Sequence, residues 1–318
     1  MLAEIVDLVG RGTREIVLVA QDTIRYGADL GIKHGLPSLM ESIAEQVPDL
    51  PWLRMLYIYP TPLTLKMVDT MAKHDALLPY LDMPIQHADK DVLRTMTRPS
   101  DVDMTRRLID HARATLAAPV MRTTVIVGYP GESDVAFQRL YDFIAEQEFD
   151  HVGVFTWSPE PGTAAFDLDL PRVPAEIAEE RRNAIMELQQ GISYAKNLSL
   201  VGSTQQVLIE AVGEAEAEDG SVEPISVGRA RRHAPDVEGM VFVGGALPVG
   251  EMADLLITDA GPYDLWAAAP GESDPRATRR EDAERAGRVA RTRAKAMRRA
   301  GNRPERRSNR TPVPMHQE

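Results

Sequence analysis

Apolar positions along the chain fall into two alternating rhythms. Short runs dense in branched and aromatic side chains occur at Glu15 to Ala20, Leu53 to Tyr59, Tyr80 to Ile85, Val120 to Val127 and His151 to Trp157, and each predicts a buried strand. Between them lie stripes at three-to-four-residue spacing: Leu39, Ile43 and Val47, then Leu63, Met67 and Met71, then Leu108, Ala112 and Leu116, then Phe137, Tyr141 and Ile144. These predict helices with one face on a core. Thr61-Pro62 supplies a capping hydroxyl and an N-terminal proline, and Glu132-Ser133-Asp134 places acids and a cap ahead of a helix starting near Val135. Strand then helix, repeated, predicts an α/β architecture with a parallel sheet, whose ligands sit at the carboxyl ends of the strands.

The first element breaks this rhythm. Leu2, Ile5, Val6 and Val9 mark a helix closed by Gly10 and Gly12 where a strand is expected, so the (β/α) array reads as truncated at its start. Beyond Pro171 the period changes. Residues 174–200 predict one long helix through Ile177, Ile185, Leu188 and Ile192, and strand-like segments follow near Gln206 to Val212, Ile225 to Arg229, Met240 to Val243 and Leu255 to Thr258. Short strands punctuated by glycine and proline predict a small β-barrel ending near Trp266. The expected division is 1–188 for the (β/α) array, 189–266 for the barrel and 267–318 for a tail.

Composition sharpens the picture at two points. The 318 residues are 43% hydrophobic and 26% charged, the balance of a soluble globular protein, and no apolar run approaches the ~20 residues that cross a bilayer. With no basic-then-apolar leader at the start, the expected compartment is the cytoplasm and no membrane partner is expected. Cysteine is absent, which removes disulfides, thiolate nucleophiles and protein-ligated iron-sulfur clusters from what these residues can build. The net charge of −12 hides a split, because residues 267–318 carry +7 and the rest −19. The tail, with Arg pairs beginning at Arg279, Arg298 and Arg306 and few aliphatic residues, is expected to be disordered, foremost a solvated extension, with weak contact with RNA phosphates as the alternative.

Candidate chemistry falls in the strand-end loops: Gln21-Asp22-Thr23, Tyr57 to Pro60, Asp82 to His87, Val127 to Glu132 and Phe155 to Ser158. Taken singly each is weak. Gly128-x-x-Gly131-Glu132 also describes a tight βα turn, and His87 also suits a satisfied structural imidazole. There is no phosphate loop, dinucleotide fingerprint or nucleophile elbow, and no His-Glu-x-x-His pair, so metal-assisted hydrolysis through Asp82 and His87 is disfavoured.

In order, Glu15 to Thr23, Tyr80 to His87, Met96-Thr97-Arg98, Ile126 to Glu132 and Ser158 to Ala164 resemble the radical S-adenosylmethionine methylthiotransferases. Gly228-Arg229-Ala230, Ala234 to Gly239 and Tyr263-Asp264-Leu265 resemble the C-terminal TRAM barrel of the same family, so the likeness covers residues 1–266. The Asp-Met-Pro-Ile-Gln-His segment and the Tyr-Pro-Thr-Pro turn are similar to the branch that modifies an aspartate of a small-subunit ribosomal protein. The alternatives are the branch acting on a transfer-RNA adenosine and a non-catalytic module that docks on the ribosome. Residues 191–266 hold 4 Lys and Arg against 12 Asp and Glu, and an acidic barrel favours a basic protein over phosphates.

The resemblance implies a partial radical-SAM-type barrel lacking its first strand, S-adenosylmethionine as cofactor, and a [4Fe-4S] cluster on a Cys-x-x-x-Cys-x-x-Cys loop that this chain does not contain. By position it implies Gln21 and Asp22 near the cofactor's amino group, Arg98 as partner of its carboxylate, Gly128 to Glu132 (with Gly131) beside the adenosine, and His87 and Trp157 facing the substrate. A helix-surface role competes for Arg98, and simple packing competes for His87 and Trp157.

Overall fold

The computed structural model describes residues 1–98, 102–216 and 221–268. The expected disordered tail and its RNA contact therefore lie outside the described residues, apart from Ala267 and Ala268.

The chain opens with helix α1 (Leu2–Gly10) and then alternates: β1 (Glu15–Leu18), α2 (Gly35–Gln46), β2 (Trp52–Met55), α3 (Pro62–Met71), β3 (Tyr80–Asp82), α4 (Lys90–Thr95), α5 (Val102–Thr115), β4 (Val120–Val127), α6 (Asp134–Gln147) and β5 (His151–Thr156). β1 pairs with β2, and β3 with β4 and β4 with β5, all parallel; a bridge from Leu53 to Leu77 joins the two sets in chain order. The strands are shorter than the apolar runs predict. Left-handed conformations at Tyr57 (φ 57°) and Gln86 (φ 67°) interrupt the extended runs beyond β2 and β3, and Gln86 still bridges Val125 of β4. The caps are as the sequence predicts: Thr61 Oγ1 accepts the Thr64 N–H at 3.3 Å and Ser133 Oγ accepts that of Ala136 at 3.2 Å. Helix α4 carries no long stripe; it starts because the Asp89 carboxylate accepts the N–H groups of Asp91 and Val92 at 2.9 and 3.1 Å. Leu53, Met55, Leu81, Val125 and Val127 from the strands meet Ile43, Met67, Leu108, Leu140, Ile144 and Ile185 from the helices in one core.

Helix α7 (Ala175–Leu198) runs unbroken through the expected boundary at 188/189. Then β6 (Thr204–Glu216), β7 (Val222–Ala230), β8 (Val241–Gly244), β9 (Met252–Ala260) and β10 (Leu265–Ala267) close into a barrel in the order β10-β8-β7-β6-β9. Its core is Val207, Ile209, Val241, Val243, Leu255, Ile257 and Leu265.

The barrel packs on the amino ends of the parallel strands, opposite the strand-end loops. Trp52, Leu78, Tyr80 and Val120 meet Leu208 and Ala234 there, and the Trp52 indole N–H donates to Gln206 Oε1 at 2.9 Å. Beside them Glu15 accepts from Arg54 Nε at 2.8 Å and from Arg229 Nη2 at 2.5 Å. Tyr80 donates its hydroxyl proton to Glu238, which also faces Arg122 Nε at 3.4 Å. Burial pushes the Glu238 carboxyl up and the Tyr80 phenol further up.

Candidate functional site

The loop after β1 is tied to the loop after β2. Thr23 donates its hydroxyl to the Leu56 carbonyl at 2.7 Å and its N–H to the Tyr57 carbonyl at 3.3 Å. Tyr57 in turn donates its N–H to Asp82 Oδ2 at 3.1 Å, and Asp82 Oδ1 accepts from Arg122 at 2.6 Å, so three successive loops share one hydrogen-bonded floor. Gln21 is exposed above it. Asp22 is half-buried, its Oδ1 is enclosed without a hydrogen-bond partner, and desolvation pushes its carboxyl up against the opposing pull of Arg25. An orphaned carboxylate oxygen is the kind of group that a bound cation or amine satisfies.

His87 and Glu132 meet in a separate, sealed cluster. Asp89 donates its N–H to His87 Nδ1 at 2.9 Å, which assigns the ring proton to Nε2; that nitrogen lies 3.1 Å from Glu132 Oε1 and donates to it. Glu132 Oε2 accepts from Arg181 Nη1 at 2.9 Å and from the Gly128 N–H, and Arg181 Nη2 reaches Asp134 at 2.6 Å. The His87 and Glu132 side chains have no solvent exposure. In this arrangement Glu132 holds the loop after β4 against α7. Gly128 (φ 75°) and Gly131 (φ 82°) are needed for the same reason: a Cβ on Gly128 would lie 2.6 Å from the Ala178 Cβ, and one on Gly131 would lie 3.0 Å from Leu170 Cδ1. The close approach that these glycines allow is to side chains of this chain.

Arg98 and Trp157 lie outside that cluster, each against its own aromatic partner. Arg98 places its guanidinium 5.4 Å from the centre of the Tyr59 ring and donates to its hydroxyl. Tyr129 meets Trp157 edge-on at 6.2 Å, donates its hydroxyl to the Thr95 carbonyl at 3.3 Å and has its phenol pushed up by burial. Arg172 covers the Trp157 ring at 4.6 Å. Around them pack Val92, Met96, Ala136 and Leu168. From the sequence Asp82 suggests only a disfavoured metal ligand, and nothing there marks Arg122 or Arg181 as site residues. Asp82 stands inside a quoted segment, but Arg181 carries no local signal because its partner is 49 positions away.

The iron-sulfur cluster that the resemblance implies does not fit these residues. The chain has no cysteine, and among the described residues no group of three or more His, Cys, Asp or Glu side chains is placed to hold a metal ion.

Residues 201–269 match the TRAM domain family. Curated relatives are ribosomal protein uS12 methylthiotransferases RimO: that of Chloroflexus aurantiacus is 44% identical over 85% of this chain and 58% of its own length. That of Roseiflexus castenholzii is 43% identical over 86% and 56%, and that of Thermosynechococcus vestitus 42% over 85% and 58%. Among solved structures, the radical S-adenosylmethionine methyltransferase TsrM of Kitasatospora setae is 15% identical with a TM-score of 0.42, over 69% of this chain and 37% of that one, a likeness too slight to argue from. The chain spans somewhat more than half the length of the curated relatives it matches. By sequence the chain belongs with the RimO-like methylthiotransferases and carries their TRAM domain.

Proposed function

We propose that this chain forms part of a cytoplasmic methylthiotransferase that uses S-adenosylmethionine radical chemistry to modify an aspartate of a small-subunit ribosomal protein. The observation that carries the reading is 44% identity over 85% of the chain with a relative named for ribosomal protein uS12. In this reading residues 1–188 belong to a (β/α) barrel whose edge beside β1 is completed by a further strand, 189–266 form the TRAM barrel, and the acidic face of that barrel attracts the basic substrate protein. The cluster thiolates belong to polypeptide outside these 318 residues, which supply none.

The chain's own part is binding and positioning. Asp22, with its unpaired oxygen, and Gln21 hold the amino group of S-adenosylmethionine, and Arg98 presents a planar fork to its carboxylate. Gly128 to Glu132 border the adenosine as a rigid wall locked by Arg181, and Trp157 faces the substrate. His87 supports that substrate side from within the wall through its bond to Glu132.

Two measurements test this on the full chain. Calorimetric titration with S-adenosylmethionine should show binding that Asp22→Ala weakens by about tenfold, the loss of one charge-assisted hydrogen bond. Anaerobic treatment with iron and sulfide should leave less than about one iron per chain; three or more would overturn the assignment of the cluster to other polypeptide. The absence of cysteine also supports a second reading, a ribosome-docking module without chemistry. Failure to bind S-adenosylmethionine, with retained binding to the ribosomal protein, would select it.

A further inference from the structure

A cavity of about 440 Å³ lies between the carboxyl ends of α3 and α5 and the near side of the barrel, within the ~300–1,000 Å³ range of small-ligand sites. Leu77, Leu116 and Val120 from the array and Leu200 from the turn after α7 give it an apolar wall. His74, Arg231 and Arg232 give it a polar one. Val120 opens β4, so the cavity lies at the amino ends of the strands, opposite the loops of Asp22 and Arg98.

The polar wall holds more cations than acids to pair with them. Arg231 is half-buried and, among the described residues, makes no ion pair; its Nη2 donates only to the Asp75 carbonyl. Burial pushes its guanidinium down, against the pull of Asp75 at the exposed rim. Arg232 is buried and reaches Asp150 Oδ1 at 3.3 Å, but the same carboxylate also serves Lys196, through Oδ2 at 2.9 Å. His74 Nε2, Arg231 Nε and Arg232 Nε are enclosed without a hydrogen-bond partner. Folded chains leave few such groups, and a cationic wall short of acceptors is completed by an anion. The planar guanidinium fork suits the paired oxygens of a carboxylate or a phosphate.

We propose that the cavity binds a small organic anion, with its carboxylate or phosphate head on Arg231 and Arg232 and an apolar body against Leu116 and Leu200. Leu116 belongs to the array and the two arginines to the loop after β7, so the ligand bridges array and barrel. The proposal goes beyond the methylthiotransferase reading and stands without it.

The test uses the full chain and two probes, 4-fluorophenyl phosphate and 4-fluorobenzoate, followed by fluorine NMR line broadening. At least one should bind with a dissociation constant of about 1 mM or tighter, and the tighter of the two identifies the head group. Arg231→Gln should weaken that binding about tenfold, the loss of one charge-assisted contact. Ala117→Trp keeps both arginines and fills the cavity from its exposed edge, so it should abolish binding while far-UV circular dichroism stays that of the parent. Inorganic phosphate, a head without a body, should displace the probe only at about tenfold higher concentration than the probe's unfluorinated parent. Failure of both probes to bind at about 10 mM overturns the proposal, as does binding unchanged in Arg231→Gln or in Ala117→Trp. Equal displacement by inorganic phosphate overturns it as well, because the apolar wall would then take no part.

Discussion

Glu15→Ala should loosen the joint between array and barrel more than any exposed substitution. The Glu15 carboxylate accepts from Arg54 at 2.8 Å and Arg229 at 2.5 Å, and the side chains are 5%, 0% and 6% exposed. Arg229 keeps other acceptors, Glu210 at 2.8 Å and the His233 carbonyl at 3.0 Å. Arg54 does not fare as well: its Nη1 already lacks a partner, and only Nη2 would retain one, the Arg231 carbonyl at 3.1 Å. An uncompensated buried guanidinium costs about 3–5 kcal/mol. For a chain of this size that corresponds to a fall of roughly 4–8 °C in Tm. Urea unfolding followed by far-UV circular dichroism and by tryptophan fluorescence measures it, since Trp52 reports on the joint through its bond to Gln206. Glu15→Met combined with Arg54→Met removes the stranded charge and should recover more than half of the loss. A loss below about 1 kcal/mol in Glu15→Ala, or no recovery in the double variant, would refute the claim that a desolvated charge dominates this contact.

The same joint makes stability acid-sensitive. His151 is pushed down to about 3, and the wholly buried His233 is also pushed down, in both cases first by burial and next by Arg232. Each unfolded imidazole binds a proton near 6.5, so their contribution is full above that pH and is lost as pH falls below it, for His151 down to about 3, at up to about 1.4 kcal/mol per pH unit for each ring. Chemical denaturation at pH 7.5 and pH 5 should show the fall, and His233→Gln should flatten it. Gly128→Ala should destabilise by about 2 kcal/mol or more, because it forces an L side chain to φ 75° and a Cβ against Ala178; the companion Ala178→Gly should relieve only the contact, as thermal melts of the two variants and their combination would show. Glu132→Gln should cost about 3 kcal/mol by leaving Arg181 without its buried carboxylate, and proteolysis of the loop at 128–132 should accelerate with it.

The alternation of strands with helices, the helical stripes and the caps at Thr61 and Ser133 were legible because each depends on neighbours a few residues away. The strand ends were less so. Val19, Ala20 and Leu56 to Tyr59 are as apolar as the strands before them, and only the turn at Tyr57 and the bond from Thr23 to Leu56 end the ladder. His87 shows the deeper limit. Its position at a strand end suggested a substrate-facing group, yet it lies sealed against Glu132, 45 residues away, which is itself held by Arg181 from α7. The Arg54, Glu15 and Arg229 contact joins residues 39 and 214 positions apart, a distance that periodicity does not cross.

Helix α7 gives the molecule a connecting rod. Near one end Arg181 grips the loop of Glu132; near the other Lys196 holds Asp150 and Asn197 donates to the Gly261 carbonyl of the barrel. Sixteen residues of unbroken helix separate the grips, about 24 Å of a body that neither stretches nor shortens. The loop of Glu132 and the barrel are therefore held at a fixed separation by one rigid element, so neither can shift along the shaft without the helix moving or one of these grips breaking.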